Sequence, residues 1–414
     1  MGAATAALAR KVTDHEARAT VKIYTAEQVK DHFDEVQALF RCAPEANVFF
    51  EPWVLAAAIE AFGSDYELLF ALIYAQDDAG GDPILCGFLP LERHDRYSRV
   101  PATAIGLWQY RECPLCTPPL RPGYEEICIN AFLDWARSDA GAQLLDMRFL
   151  DLDSAAYKSM TDVLRLRSWK YIESVVERPA LVRNGDYESF TRESLSSDHR
   201  RRLRKQVRQL SELGRIEYVE VGSDINAWIE SFLKLEASGW KKAAGGATIC
   251  HSRPLKFIPR VIAEAHRRGQ LLSLGLLLDG ELIAINVVLK SGTVGFGYKT
   301  AYDAQYAKYS PGIMLQHELI RRVFASSDFT YVDSCVIPAF AHSVDWLGRR
   351  KLADMLISTG TIRGDVTLAV APAIHRAKQK FRLWQKTRVK RAATAAQKAQ
   401  VCAQRDERDT EVTR

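Results

Sequence analysis

Along residues 271–335 the apolar positions change period in a definite order. Two runs of mostly Leu, Ile, Val and Ala, residues 271–278 and 281–289, flank Asp279-Gly280. That dipeptide suits the positive φ angles of a two-residue hairpin turn, so the runs predict paired antiparallel strands. A third run, 294–299, predicts a strand that ends in Phe296-Gly297-Tyr298-Lys299. A polar loop follows and closes on Ser310-Pro311-Gly312. Apolar residues then recur at helical spacing over 313–324, and a last run predicts a strand over 329–335.

The first half has the same order of elements. Helices are predicted over 26–41 and after Glu51-Pro52-Trp53, where proline suits a helix start. Strand-like runs at 67–74 and 84–91 are joined by the turn-rich residues 77–83. A proline-rich loop leads to a helix over 124–137, whose stripe is Tyr124, Ile127, Cys128, Ala131, Phe132 and Trp135, and then to a strand over 144–150. The second half opens with helices over 197–213 and 225–239. Hairpin, loop, helix and strand thus occur twice with negligible identity between the copies. The expectation is two α/β domains of one kind: a loose tail at 1–20, a first domain at 21–185, a second at 186–370, and a basic helical tail at 371–414.

Composition narrows the class. The chain has 414 residues, 47% hydrophobic and 26% charged, which suffices for two packed cores. A net charge of +5 is mild but uneven, with basic runs at 199–208 and 376–391. Such runs suit an anionic partner: a phosphorylated cofactor, RNA or a lipid surface. The eight cysteines are irregularly spaced and imply no disulfide framework. Cys113-Pro114-Leu115-Cys116 is a single C-x-x-C without the second ligand pair that structural zinc requires. No apolar run approaches the roughly 18 residues of a membrane span. A soluble, reduced, cytoplasmic protein is expected.

A strand followed by a Pro/Gly-marked loop and a helix start presents bare backbone N–H groups to an anion. The pyrophosphate of an acyl-CoA is such an anion, which makes acyl transfer the leading expectation. No P-loop, H-E-x-x-H, dinucleotide fingerprint or G-x-S-x-G elbow occurs. Asp151-Leu152-Asp153 matches a D-x-D metal pattern that is too short to carry weight.

Several segments carry a family resemblance. They are the basic stretch from Ser197 to Lys205, Phe232-Leu233-Lys234-Leu235-Glu236 with Trp240, and Gly280-Glu281-Leu282-Ile283-Ala284. Tyr298-Lys299, Asp303, Ser310-Pro311-Gly312, and Asp333-Ser334-Cys335 with Trp346 and Arg349-Arg350 continue the series. In this order they resemble the GNAT acyltransferases, in the branch named for cellulose-biosynthesis acetyltransferases (CelD/BcsL, or BioF-type), related to the Fem aminoacyltransferases. The resemblance covers 186–350 and reaches the first half only by architecture. It implies tandem GNAT-type domains, each a mixed, mostly antiparallel sheet flanked by helices. It also implies an acetyl-CoA or other acyl-CoA donor and direct attack by an amine or hydroxyl, with no metal. The acceptor it implies is a small molecule or a polysaccharide or cell-envelope precursor. The usual glycine-rich pyrophosphate loop is replaced by Ser310-Pro311-Gly312, which leaves aminoacyl-tRNA open as donor, and a non-catalytic binding protein open as well.

Roles follow from that chemistry. Gly312 and Ile313 open the phosphate-facing helix, Ser310 caps it, and Lys299 meets a phosphate. Tyr298 and Tyr309 are rival acids for the leaving thiolate, and Asp333 and His342 are rival bases. Asp303, Trp240 and Arg201 are candidates for substrate contact. Cys335 as a covalent nucleophile needs a nearby histidine, and His342 is the closest in sequence.

Overall fold

The computed structural model describes residues 18–76, 81–97, 100–194, 197–238, 248–336 and 346–371. The expected basic tail, Trp240 and His342 lie outside them.

The first half contributes β1 (Arg18–Tyr24), β2 (Glu67–Gln76), β3 (Ile84–His94), β4 (Ala104–Leu107), β5 (Leu144–Asp151) and β6 (Tyr171–Val182). Its helices are α1 (Phe33–Cys42), α2 (Pro52–Phe62), α3 (Glu125–Ser138) and α4 (Ala155–Leu166). The second half contributes helices α5 (Tyr187–Ser194), α6 (Ser197–Ser211), α7 (Ile225–Ser238), α8 (Ser252–Arg267) and α9 (Pro311–Ala325). Its strands are β7 (Ile216–Glu220), β8 (Leu271–Leu278), β9 (Glu281–Ser291), β10 (Val294–Tyr302), β11 (Tyr331–Asp333) and β12 (Gly348–Ser358). Asp279 and Gly280 both take positive φ, 49° and 85°, and close the predicted hairpin between β8 and β9.

All twelve strands form one sheet in the order β1-β2-β3-β4-β5-β12-β6-β11-β10-β9-β8-β7. Each half is an antiparallel run that ends in one parallel pair, β4 with β5 and β10 with β11. The strands at the centre are exchanged. β6 of the first half pairs with β11, and β12 of the second pairs with β5. β6 and β12 then pair with each other along the seam. The hydrophobic core runs through the same seam, where Phe49 packs on Phe296 and Phe62 on Phe257.

Several elements lie outside the sequence expectation. β1 starts at Arg18, inside the expected tail, and pairs with β2 along its length. β4, α4, β6 and β12 were not foreseen, and α8 carries Pro259 in its interior. Proline removes a helical hydrogen bond, yet Phe257, Ile258, Val261, Ile262 and Ala265 of α8 are buried in the core. Tertiary burial holds the helix.

Glu51, at the start of α2, is buried between the halves. It accepts hydrogen bonds from Trp53 Nε1 at 2.7 Å and Gln270 Nε2 at 3.1 Å. Burial raises its pKa above 4.5, against the opposing bonds from Ser291, Trp53 and Gln270. A raised folded pKa gives stability that is complete below the unfolded value and is lost as pH rises through the folded one. Glu51→Gln keeps the shape and the bonds without the charge. It is expected to raise the thermal midpoint over wild type at pH 8 and to match it at pH 4, as read by thermal unfolding at both.

Candidate active site at the fork between β10 and β11

β10 and β11 run together only from Val294↔Tyr331 to Phe296↔Asp333. Beyond that the two strands part. β10 stays on β9, but its register slips between Gly297 and Lys299, so Tyr298 is a bulged residue. A bulge bends its strand and re-aims a side chain, and ligands gather where parallel strands end. Gly297 sits at the divide: a Cβ there would lie 3.3 Å from the carbonyl oxygens of both Asp333 and Ser334. Past β11, Cys335 takes a φ of 52°, uncommon for a residue with a side chain. A cavity of about 270 Å³ opens in this fork, lined by residues of both halves, among them Gln109, Glu112, Cys113, Tyr298, Lys299 and Cys335.

The floor of the fork is an ion network across the seam. The Asp333 carboxylate is fully buried and accepts from Arg178 Nη2 and, at 2.7 Å, from Arg350 Nη1. Its other oxygen accepts from the Cys335 N–H at 2.9 Å. Arg350 also holds Asp151 with Nε at 2.9 Å and Nη2 at 2.7 Å, and Arg178 Nη1 bonds the Pro114 carbonyl. Burial alone would raise the Asp333 pKa, but the charges of Arg178 and Arg350 outweigh it and hold it below 3.8. A base needs a free lone pair and a pKa near the working pH. Both Asp333 oxygens are engaged and its pKa is held below 3.8, so its place is to hold two buried guanidiniums and four strands together. Asp151 belongs to this ion network, and no group of three or more metal-ligating side chains occurs among the described residues.

At the rim, Lys299 Nζ lies 2.7 Å from Glu112 Oε2. The pairing gives Lys299 a carboxylate partner where the sequence reading had a phosphate. The Tyr298 hydroxyl is buried and has no hydrogen-bond partner among the described residues. Burial, followed by the nearby Glu112 charge, pushes its pKa well above 10, so it stands as a neutral proton donor. Burial likewise pushes up the Cys335 thiol, which opposes a thiolate nucleophile. Cys113, in the first-half wall of the cavity, lies 3.8 Å from Cys116, sulfur to sulfur.

The helix start differs in detail from expectation. Ser310 adopts φ 56° and its side chain makes no cap bond; its Oγ accepts from Gln206 Nε2 at 2.8 Å. Pro311 has no N–H, and the amides of Ile313 and Met314 both bond the Ser310 carbonyl. Ile313 is therefore spent on its own turn, and Gly312 offers the amide without an acceptor among the described residues. The Gln206 bond docks α6 beside this entrance. Leu203, Val207 and Leu210 of α6 pack on the second-half core, while Arg201, Arg202, Arg204, Lys205 and Arg208 are exposed. Arg202, one turn before Gln206, shares its face, and Arg201 pairs with Asp198 at 3.2 Å.

The first half has the equivalent fork, and it is closed. After β4 the loop carrying Trp108, Tyr110, Leu115, Cys116 and Leu120 fills it, each residue almost wholly buried. The Cys116 N–H bonds the Phe149 carbonyl at 3.1 Å. At the start of α3 the Gly123 N–H is taken by Glu125 Oε2 at 2.8 Å. The loop that closes this fork forms one wall of the open one.

Of the sequence candidates, the fold brings Tyr298 and Lys299 to the cavity, with Asp333 beneath and Gly312 at the neighbouring helix. Tyr309 packs in the second-half core and does not line the cavity. Asp303 caps the turn after β10, accepting from the Gln305 N–H at 3.0 Å. Glu112, Cys113, Phe149 and Arg178 were missed. Arg178, a charge within a strand that turns apolar immediately after it, and Cys113, in the C-x-x-C, left a trace in sequence.

Residues 197–339 match the model of a family described as acetyltransferase (GNAT) domain. Among solved structures, FemX is similar with a TM-score of 0.53 and 12% identity, over 82% of this chain and 98% of that one. A conserved protein of unknown function from Bacteroides thetaiotaomicron VPI-5482 gives a TM-score of 0.48 and 11% identity, over 80% of this chain and 97% of that one. A tandem GNAT protein from the clavulanic acid biosynthesis pathway gives 0.40 and 12%, over 83% and 99%. No curated protein matches the sequence. The family match falls on the half whose fork and helix start are open, and that half is similar to a GNAT acetyltransferase domain.

Proposed function

We propose that this chain moves an acyl group from an acyl-CoA to an amine or hydroxyl of an acceptor bound in the cavity between its halves, by direct attack. One observation carries the reading: the parallel pair parts at Phe296 and Asp333, and the bulge puts Tyr298, whose buried hydroxyl has no partner among the described residues, in the lining of the cavity that opens there. A thioester between the diverging strands lies beside the edge of β10 that β11 no longer covers, and Tyr298 supplies a proton to the leaving thiolate. The diphosphate meets the Gly312 N–H at the positive end of α9, with Arg202 of α6 nearby. The resemblance to the cellulose-biosynthesis branch favours a polysaccharide or cell-envelope precursor as acceptor. A second reading, with aminoacyl-tRNA as donor, is favoured by the exposed cations of α6.

Calorimetry with acetyl-CoA, a long-chain acyl-CoA and bulk tRNA separates these readings. Acetyl-CoA is expected to bind. Gly312→Pro removes the free amide and weakens binding about tenfold or more, since a hydrogen bond to a charged group is worth roughly 1.5–3 kcal/mol. Gly312→Ala keeps the amide, and its Cβ meets neighbours only at 3.6 Å, so it binds like wild type. Salt-sensitive binding of tRNA alone would support the second reading. Binding of none of the three would refute both.

A further inference from the structure

Residues 362–371 are helical, and this last helix has two unlike sides. Thr361 caps its start, Oγ1 accepting from the Gly364 N–H at 3.0 Å. Inward, Leu368 packs with Ala104 and Leu144, and Thr367 and Ala371 are buried. Asp365 ties the helix to the ends of β6 and β12, accepting from Lys170 Nζ and Ser358 Oγ, both at 2.6 Å. Outward, Ile362 is 87% exposed, Val366 59% and Val370 41%, with Arg363 and Ala369 also exposed. Ile362, Val366 and Val370 follow one another at a helical turn, so they form one apolar stripe facing water. Leu166, 77% exposed, ends α4 just before the Lys170 that Asp365 holds.

The sequence that follows this stripe adds charge to it. Residues 372–405 hold ten Lys and Arg and no Asp or Glu, and Ile374, Ala377, Phe381 and Trp384 recur among them at helical spacing. We propose that the outer face of residues 362–371 and the basic segment after it dock this protein on an anionic lipid bilayer. Apolar side chains enter the boundary between headgroups and acyl chains, while Lys and Arg meet the headgroup phosphates. RNA would satisfy the cations and leave Ile362, Val366 and Val370 in water. A second copy would cover the stripe, yet it would set two acid-free basic segments against each other. A bilayer interface takes both kinds of group at once.

Neither part suffices alone. Charge attraction is screened within roughly 10 Å at 0.1 M salt, and a short apolar stripe covers little bilayer area. Together they hold the chain at a surface that is both charged and apolar. The docking face is separate from the chemistry, because no residue of 362–371 lines the cavity at the fork. The inference therefore goes beyond the acyl-transfer reading and does not depend on it.

Vesicle sedimentation with the full chain tests this, using phosphatidylcholine vesicles with and without about 30% phosphatidylglycerol. Binding to the anionic vesicles is expected to be at least about tenfold tighter than to the neutral ones, and to weaken as salt rises. Ile362→Ser with Val366→Ser should weaken it about tenfold or more, since both side chains lose their apolar surface. The thermal midpoint of that pair should match wild type, because both positions already face water. Ile362→Leu with Val366→Leu keeps the stripe apolar and should bind as wild type does. Equal binding to neutral and anionic vesicles, no binding to either, or full binding by the serine pair each overturns the proposal. A lower midpoint of the serine pair without vesicles means that the chain covers its own stripe, and overturns it. A dimer of the full chain that the serine pair dissolves does the same, as does binding of bulk tRNA without binding of vesicles. Failure to bind acetyl-CoA refutes the acyl-transfer reading and leaves this inference standing.

Discussion

Asp333→Ala is expected to destabilise the protein by about 3–5 kcal/mol in urea unfolding, the usual cost of breaking a buried ion pair from one side. The reason is geometric. Arg178 on β6 and Arg350 on β12 both point at this one carboxylate, and their strands are the exchanged pair at the centre of the sheet. Without it two desolvated guanidiniums face each other, with only Asp151 left to Arg350. The same network sets an acid limit. The folded pKa of Asp333 lies below its unfolded value, so its contribution is complete above about pH 4 and is lost as pH falls through the folded pKa. Asp333→Asn should lack that acid-dependent component. Equal pH slopes of wild type and Asp333→Asn below pH 4 would refute the account.

Tyr298→Phe should move stability and activity in opposite directions. The hydroxyl is buried without a partner among the described residues, and an unsatisfied buried polar group costs about 1–3 kcal/mol. Its removal is expected to leave the thermal midpoint unchanged or higher. Thiol release from acetyl-CoA, followed with n-butylamine as acceptor, should fall at least about 100-fold in kcat, the usual weight of a positioned acid. A structural tyrosine would lower the midpoint and spare the rate. A fall in midpoint with turnover intact would remove Tyr298 from the chemistry.

These two residues had unequal visibility in sequence. Tyr298 was legible in place because the run 294–299 reads as a strand leading to a loop and helix start, but the strand runs on to Tyr302 and the bulge within it at Tyr298 was not foreseen. Asp333 was legible in position but not in role: a carboxylate at a strand end reads as a base until the two arginines are seen. Arg178 lies 155 residues away and Arg350 17 residues on. Glu112 was invisible, since a Glu in a proline-rich loop carries no periodic signal. Ser310 and Ile313 were placed at the right turn, yet the expected cap was replaced by the Gln206 bond and the expected free amide by an ordinary helical one.

By itself the sequence determined what local physics determines: the β8–β9 hairpin through Asp279-Gly280, the amphipathic helices α3 and α9, the repeat of one order of elements, and the basic face of α6. Turn geometry and helical periodicity act over a few residues and are written there. Only the tertiary structure decided which fork is open, how β6 and β12 exchange partners, and that a loop of the first half walls the cavity of the second. Those outcomes depend on buried charge pairs and packed aromatics far apart in the chain, whose energies exist only once the sheet has closed.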